Sequence, residues 1–183
     1  YRAVKVEPMF STPTDVIEMA RRARAALGPD FTLMVDVGYL FNDVPTGVRV
    51  ARALEELNVE FFETPFPVDH PEPYARLAAQ TRVPLAMGEH AVTRWEFLDM
   101  MDRGKCSVMQ PYMTTCGGLT EARHIVSLAQ ARGAQVCPGN WSTQILGAAS
   151  VHLAAWSPIT PFIEFAAAEV FESPLRSELQ QAG

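Results

Sequence analysis

The 183-residue sequence predicts an α/β fold in which parallel strands alternate with helices. Three observations predict it. Short apolar runs alternate with amphipathic stretches from the first residues onward. The runs are apolar almost throughout, as strands covered on both faces are. Asp36, Glu63 and Glu89 each close one such run, at intervals of 27 and 26 residues, the length of one strand, one helix and two loops.

The elements follow in order. Residues 1–7 (YRAVKVE) read as a strand, residues 14–27 as an amphipathic helix stopped by Gly28-Pro29, FTLMVD (31–36) as a strand and 46–57 as a helix. VEFFE (59–63) then leads to a helix over 71–80, and VPLAMGE (83–89) to one over 93–104. CSVMQ (106–110) leads to a helix over 119–133, AQVCP (134–138) to one over 143–156, and PFIEF (161–165) ends the series. Seven strands and six helices of similar length leave two architectures, a (β/α) barrel or a doubly wound open sheet, and both take ligands at the carboxyl ends of the strands. No Gly-rich phosphate loop follows the first strand, which argues against a nucleotide-binding sheet. Seven strands are one short of a closed barrel, and alternation begins at once with neither signal peptide nor helix cap, so a preceding piece is expected.

Composition narrows the function classes. A net charge of −6 and a pI of about 5.2, with 15 Lys and Arg scattered along helices, argue against non-specific nucleic-acid binding. No apolar run approaches the ~18 residues that span a membrane, so a globular cytoplasmic protein is expected. Cys106, Cys116 and Cys137 are odd in number and lie in or beside apolar segments, as reduced thiols do, and no Cys/His zinc spacing is present.

Acids repeated once per strand-helix unit stand at the same ends of neighbouring strands, where three hard oxygen ligands converge on a dication of the Mg²⁺ type. Each acid taken singly has a plainer reading as a cap of the following helix. Gly117-Gly118 opens a helix, either to bring free amides to an anion or as a tight turn. Trp95, Trp156, His124 and His152 fall inside helical patterns and read as packing residues.

The segments MVDVG (34–38), FFETP (61–65), GEH (88–90), QPYMTTCGGLTEA (110–122) and GAQVCPGNW (133–141) resemble the mandelate racemase and muconate lactonizing enzyme-like members of the enolase superfamily. The resemblance runs over essentially the whole chain. It implies a modified TIM barrel, (β/α)7β, with strands two to eight present and the first strand and an N-terminal capping domain missing. Residues 1–183 are thus expected to be an incomplete C-terminal barrel domain that works with its own capping domain in a homo-oligomer. The resemblance further implies that Asp36, Glu63 and Glu89 bind Mg²⁺, that Lys5 lies on the strand carrying the family's Lys-x-Lys pair, and that Glu164 meets substrate.

Three positions depart from that pattern. The second lysine falls on Glu7, the sixth-strand aspartate on Tyr112, and the seventh-strand histidine on Gly139, 27 residues later. Lysine-to-glutamate changes the local charge by two units, and each unit charge at 4 to 6 Å is worth on the order of 3 to 4 kcal/mol at an effective dielectric of 20. Lys5 and Glu7 are expected on one strand face. Glu7 reads either as a carboxylate base or as the partner of a cation. His90 reads as an acid/base or substrate contact, or as a hydrogen-bond partner of Glu89. Tyr39 and Tyr112 read as phenolic proton donors or as aromatic walls. Asn140 and Trp141 shape the pocket where the histidine would stand, and Gly38 leaves space for substrate.

Two function classes follow. One is an Mg²⁺-dependent lyase or isomerase that takes the α-proton from a hydroxylated carboxylate, foremost a sugar-acid dehydratase. The other is a metal-binding barrel that holds a carboxylate without turning it over. A flavodoxin-like signalling domain fits poorly, since its acids would lie on the first and third strands.

Overall fold

The computed structural model describes residues 1–8 and 11–165. Its strands are β1 (Ala3–Val6), β2 (Thr32–Asp36), β3 (Phe62–Glu63), β4 (Leu85–Met87), β5 (Val108–Met109) and β6 (Gln135–Val136). Between them run α1 (Pro13–Leu27), α2 (Val44–Glu56), α3 (Pro71–Ala78), α4 (Arg94–Asp102) and α5 (Gly118–Gln130), and α6 (Gln144–Trp156) follows β6. The strands lie in the sheet in chain order, and the pairs from β1 to β4 are parallel. A doubly wound sheet reverses its order at a switch point. Strictly sequential order is that of barrel strands, and it decides between the two architectures. No described helix is long and apolar enough to cross a membrane.

One expectation is corrected. Residues 161–165 form no strand, so the described residues hold six strands and not seven. Two isolated hydrogen bonds, Val136 N–H to Ile159 O (3.0 Å) and Glu164 N–H to Pro138 O (3.3 Å), run beside β6 without making a ladder.

Two compact units divide the chain, residues 1–87 with 99–108 and, among the described residues, 88–98 with those from 109 onward. In the first unit, Leu33, Val35, Phe62 and Leu85 from the strands are buried, as are Val16 and Ala20 of α1, Ala51 and Leu54 of α2, and Tyr74 and Leu77 of α3. Local chemistry starts α1 and α2 at Pro13 and Val44, one and two residues ahead of the expected starts. Thr12 and Asp15 form a reciprocal capping box with Pro13 in the first turn of α1, and Asp43 caps α2 by accepting from Thr46 N–H at 2.7 Å. The Arg24 guanidinium donates to the carbonyls of Leu57, Gly28, Phe31 and Asn58, tying the loops at the end of α1 to those after α2.

In the second unit, Ala122, Ile125, Val126 and Ala129 line the buried side of α5, and Leu146 and Leu153 that of α6. Gly117 supplies the left-handed N-cap of α5 (φ 90°). All four of the expected packing residues, Trp95, Trp156, His124 and His152, are on the surface instead. Trp95 is 67% exposed, and Trp156 is about half exposed with the Arg123 guanidinium 5.1 Å above its ring. An indole in a helical pattern satisfies the periodicity from either side of the helix.

Candidate functional site

Register builds the first cluster. Lys5 pairs with Met34 and Asp36 with Glu63, and laterally paired residues of parallel strands share a face, as do residues two apart. Lys5, Asp36 and Glu63 therefore project together from one face. The lysine chain is long enough to reach one pleat further, and its Nζ lies 3.2 Å from Asp36 Oδ2 and 2.8 Å from Glu63 Oε2. Both acids are buried, at 6% and 2% exposure. Asp36 Oδ1 accepts from Gly38 N–H and from Thr64 Oγ1, each at 3.0 Å, so the carboxylate is held at both oxygens. Thr64 is a residue of the candidate site that sequence reading missed. It sits in the left-handed region (φ 40°), ending β3 and turning its hydroxyl onto Asp36. The only signal was its place directly after the acid in FFETP.

Glu7 falls one residue beyond β1, which stops at Val6. It is exposed, and its Oε1 would lie 3.8 Å from a Cβ built on Gly38. Tyr39 is a turn residue at φ 65° whose N–H donates to Thr64 O at 2.7 Å.

The second unit carries the other candidates. Glu89 is two residues past β4, with His90 Nε2 3.6 Å from its Oε1 and the His90 side chain 65% exposed. Tyr112, Asn140 and Glu164 come together. Glu164 Oε2 accepts from the Tyr112 hydroxyl at 3.2 Å and from Asn140 N–H at 2.8 Å. Trp141 beside them is 53% exposed. Arg94 anchors α4 to α5, its N–H and Nε donating to Glu121 Oε1 at 2.9 and 2.7 Å and its Nη2 to Oε2, which holds the Glu121 carboxyl down at about 2.

The residues present fit a hard dication. Asp36 and Glu63 are adjacent buried carboxylates, and together with the Lys5 ammonium they carry one excess negative charge. Oxygen donors of this kind suit Mg²⁺. Among the described residues no three His, Cys, Asp or Glu side chains gather as a ligand group, and the cation meeting both acids is Lys5. A separate groove of about 690 Å³ lies among α1, α2 and α3, lined by Arg21, Arg49, Arg52 and Arg76, and touches none of these residues.

Residues 1–180 match the family model described as enolase C-terminal domain-like. The D-galactarolactone cycloisomerase of Agrobacterium fabrum is 28% identical over 173 residues, covering 90% of this chain and 45% of that protein. The arabinonate dehydratase of Saccharolobus solfataricus is 30% identical over 166 residues, covering 90% and 43%. The crystal structure of the 3,6-anhydro-D-galactonate cycloisomerase of Zobellia galactanivorans superposes with a TM-score of 0.86 at 28% identity, covering 97% of this chain and 49% of that one. The chain thus spans less than half the length of each of these relatives.

Proposed function

The chain belongs to the enolase C-terminal domain-like family, and on that premise we propose that the intact protein is an Mg²⁺-dependent lyase or isomerase of a sugar acid, foremost a dehydratase. The observation that carries this reading is the buried Asp36–Glu63 pair with Lys5 Nζ at both carboxylates. Relatives that act as sugar-acid dehydratases and cycloisomerases support the substrate class. On this reading a capping domain and the barrel strands beyond the six described ones complete the intact protein.

Asp36, Glu63 and Glu89 would hold Mg²⁺, which when bound supplies Lewis-acid stabilisation of the charge that develops on the substrate carboxylate as the α-proton leaves. Lys5 adds a fixed positive charge beside that carboxylate. Thr64 and Gly38 keep Asp36 in one orientation, so little reorganisation accompanies the reaction. Glu7, exposed beside Gly38, takes the α-proton, and His90 beside Glu89 is the second group placed to exchange one. Glu164, with Tyr112 and Asn140 at its oxygen, accepts from substrate hydroxyls.

A second reading, a barrel that binds a carboxylate without turning it over, draws on Gly139, which offers no side chain where the resemblance expects a base. One experiment separates the two. The intact protein is given Mg²⁺ and a panel of aldonic and aldaric acids in deuterated water, and product and α-proton exchange are followed. The proposal expects product from at least one acid, and exchange that Glu7→Gln abolishes without lowering the melting temperature. Neither product nor exchange across the panel, with saturable binding of an acid, establishes the second reading.

A further inference from the structure

Gly139 is a glycine that its backbone does not require. Its φ lies outside the left-handed region, so any residue could adopt its conformation. Space decides the position. A Cβ there would stand 1.8 Å from Tyr112 Cε2, 2.4 Å from Cζ and 2.6 Å from Cδ2, inside the phenol ring. Gly118 and Gly133 are the reverse case, with positive φ and nothing within 4 Å of the built Cβ. The ring that fills the space over Gly139 is the one whose hydroxyl reaches Glu164 Oε2, and the residue after Gly139 donates its N–H to the same oxygen.

We propose that Tyr112 and Gly139 are one interlocked device that positions Glu164: the glycine admits the ring, and the ring's hydroxyl and the Asn140 amide fix the carboxylate as an acceptor for a substrate hydroxyl. The two departures at 112 and 139 are then a single change, because a tyrosine at 112 excludes every side chain from 139. Tyr112 acts through Glu164 and is a positioning residue. This rests on the sugar-acid reading for the identity of the group Glu164 meets, whereas the steric interlock stands apart from it.

The test is a pair of variant cycles in the intact protein. In the first, melting temperature is measured for Gly139→Ala, Tyr112→Ala and the double variant. The interlock expects Gly139→Ala to lower the melting temperature when Tyr112 is present and to have little effect once the ring is gone. In the second, kcat/KM is measured on the best acid of the panel for Tyr112→Phe, Glu164→Gln and the double variant. Tyr112→Phe keeps the ring over Gly139 and should melt as wild type, with kcat/KM down about tenfold, as the loss of one hydrogen bond to a charged group implies. The double variant should lose no more than Glu164→Gln alone. Equal melting of Gly139→Ala and wild type overturns the interlock, and independent, multiplying losses overturn the positioning role. If no acid is turned over, the sugar-acid reading fails while the melting cycle still decides the interlock.

Discussion

The two units hold their functional side chains by different forces. In the first, one ammonium stands against two buried carboxylates, and the arrangement is a balance of charge. In the second, a ring over a glycine and two neutral donors on one carboxylate oxygen hold Glu164, and the arrangement is a matter of shape. A charge-held cluster is sensitive to the loss of one group and responsive to added cations, because a buried charge left without its partner costs more than the pair contributed. A shape-held cluster is sensitive to added atoms. Substitutions of opposite kinds should therefore break the two.

The largest effect is expected from Lys5→Met. Removing one partner of a buried ion pair costs about 3 to 5 kcal/mol, and since the Lys5 side chain keeps 19% of its exposure the lower figure applies. Urea unfolding in the presence of EDTA should show a loss of about 3 kcal/mol. Mg²⁺ should then narrow the gap to wild type, and at a hundredfold excess over its Kd it adds about 2.7 kcal/mol to whichever form it binds. An unchanged midpoint in EDTA would remove the distinction between the units at its strongest point.

That contrast also separates what could be read in the sequence from what could not. Asp36 and Glu63 were legible because period-2 alternation and the repeat of one strand-helix unit fix where a side chain must emerge. The first two helices were legible to within one or two residues of their starts, which Thr12 and Asp43 cap. The start of β3 was not. VEFFE reads as a five-residue strand and ends at Glu63 as read, yet its register with β2 begins only at Phe62. The same holds for β1, which runs from Ala3 to Val6 within the longer run 1–7. Pro161–Phe165 has the composition of a strand, but a strand is a property of its neighbour's register as well as of its own residues. The link between Tyr112 and Gly139 joins residues 27 apart through the volume of a ring, which no spacing rule encodes.

Gly88→Ala carries the comparison to the loop that bears Glu89. A Cβ at Gly88 would lie 2.5 Å from Phe97 Cε1 and 3.1 Å from Gln110 N, and φ is 134°, where a side chain is strained in any case. Overpacking of this kind costs about 1 to 3 kcal/mol. The expected result is a lower urea midpoint whose gap to wild type Mg²⁺ does not narrow, in contrast to Lys5→Met. A gap that Mg²⁺ narrowed would mean that the second unit, too, is held by charge.

The smallest effect tests whether any charge pair in the second unit matters to its stability. Arg94 holds Glu121 at about 2, against an ordinary value of 4.5, by donating to both carboxylate oxygens. A carboxyl lowered in the folded state stabilises fully above its unfolded value, and that contribution fades as the pH falls from about 4.5 towards 2. Arg94→Met keeps the backbone N–H that Glu121 accepts at the start of α4, so part of the lowering survives. Urea midpoints measured at descending pH should therefore show a modest deficit for the variant that is constant from neutrality to about pH 5 and shrinks below 4.5. A deficit that instead stayed constant into acid would mean that Arg94 stabilises α4 by packing its stem, and the second unit would then be held by shape throughout.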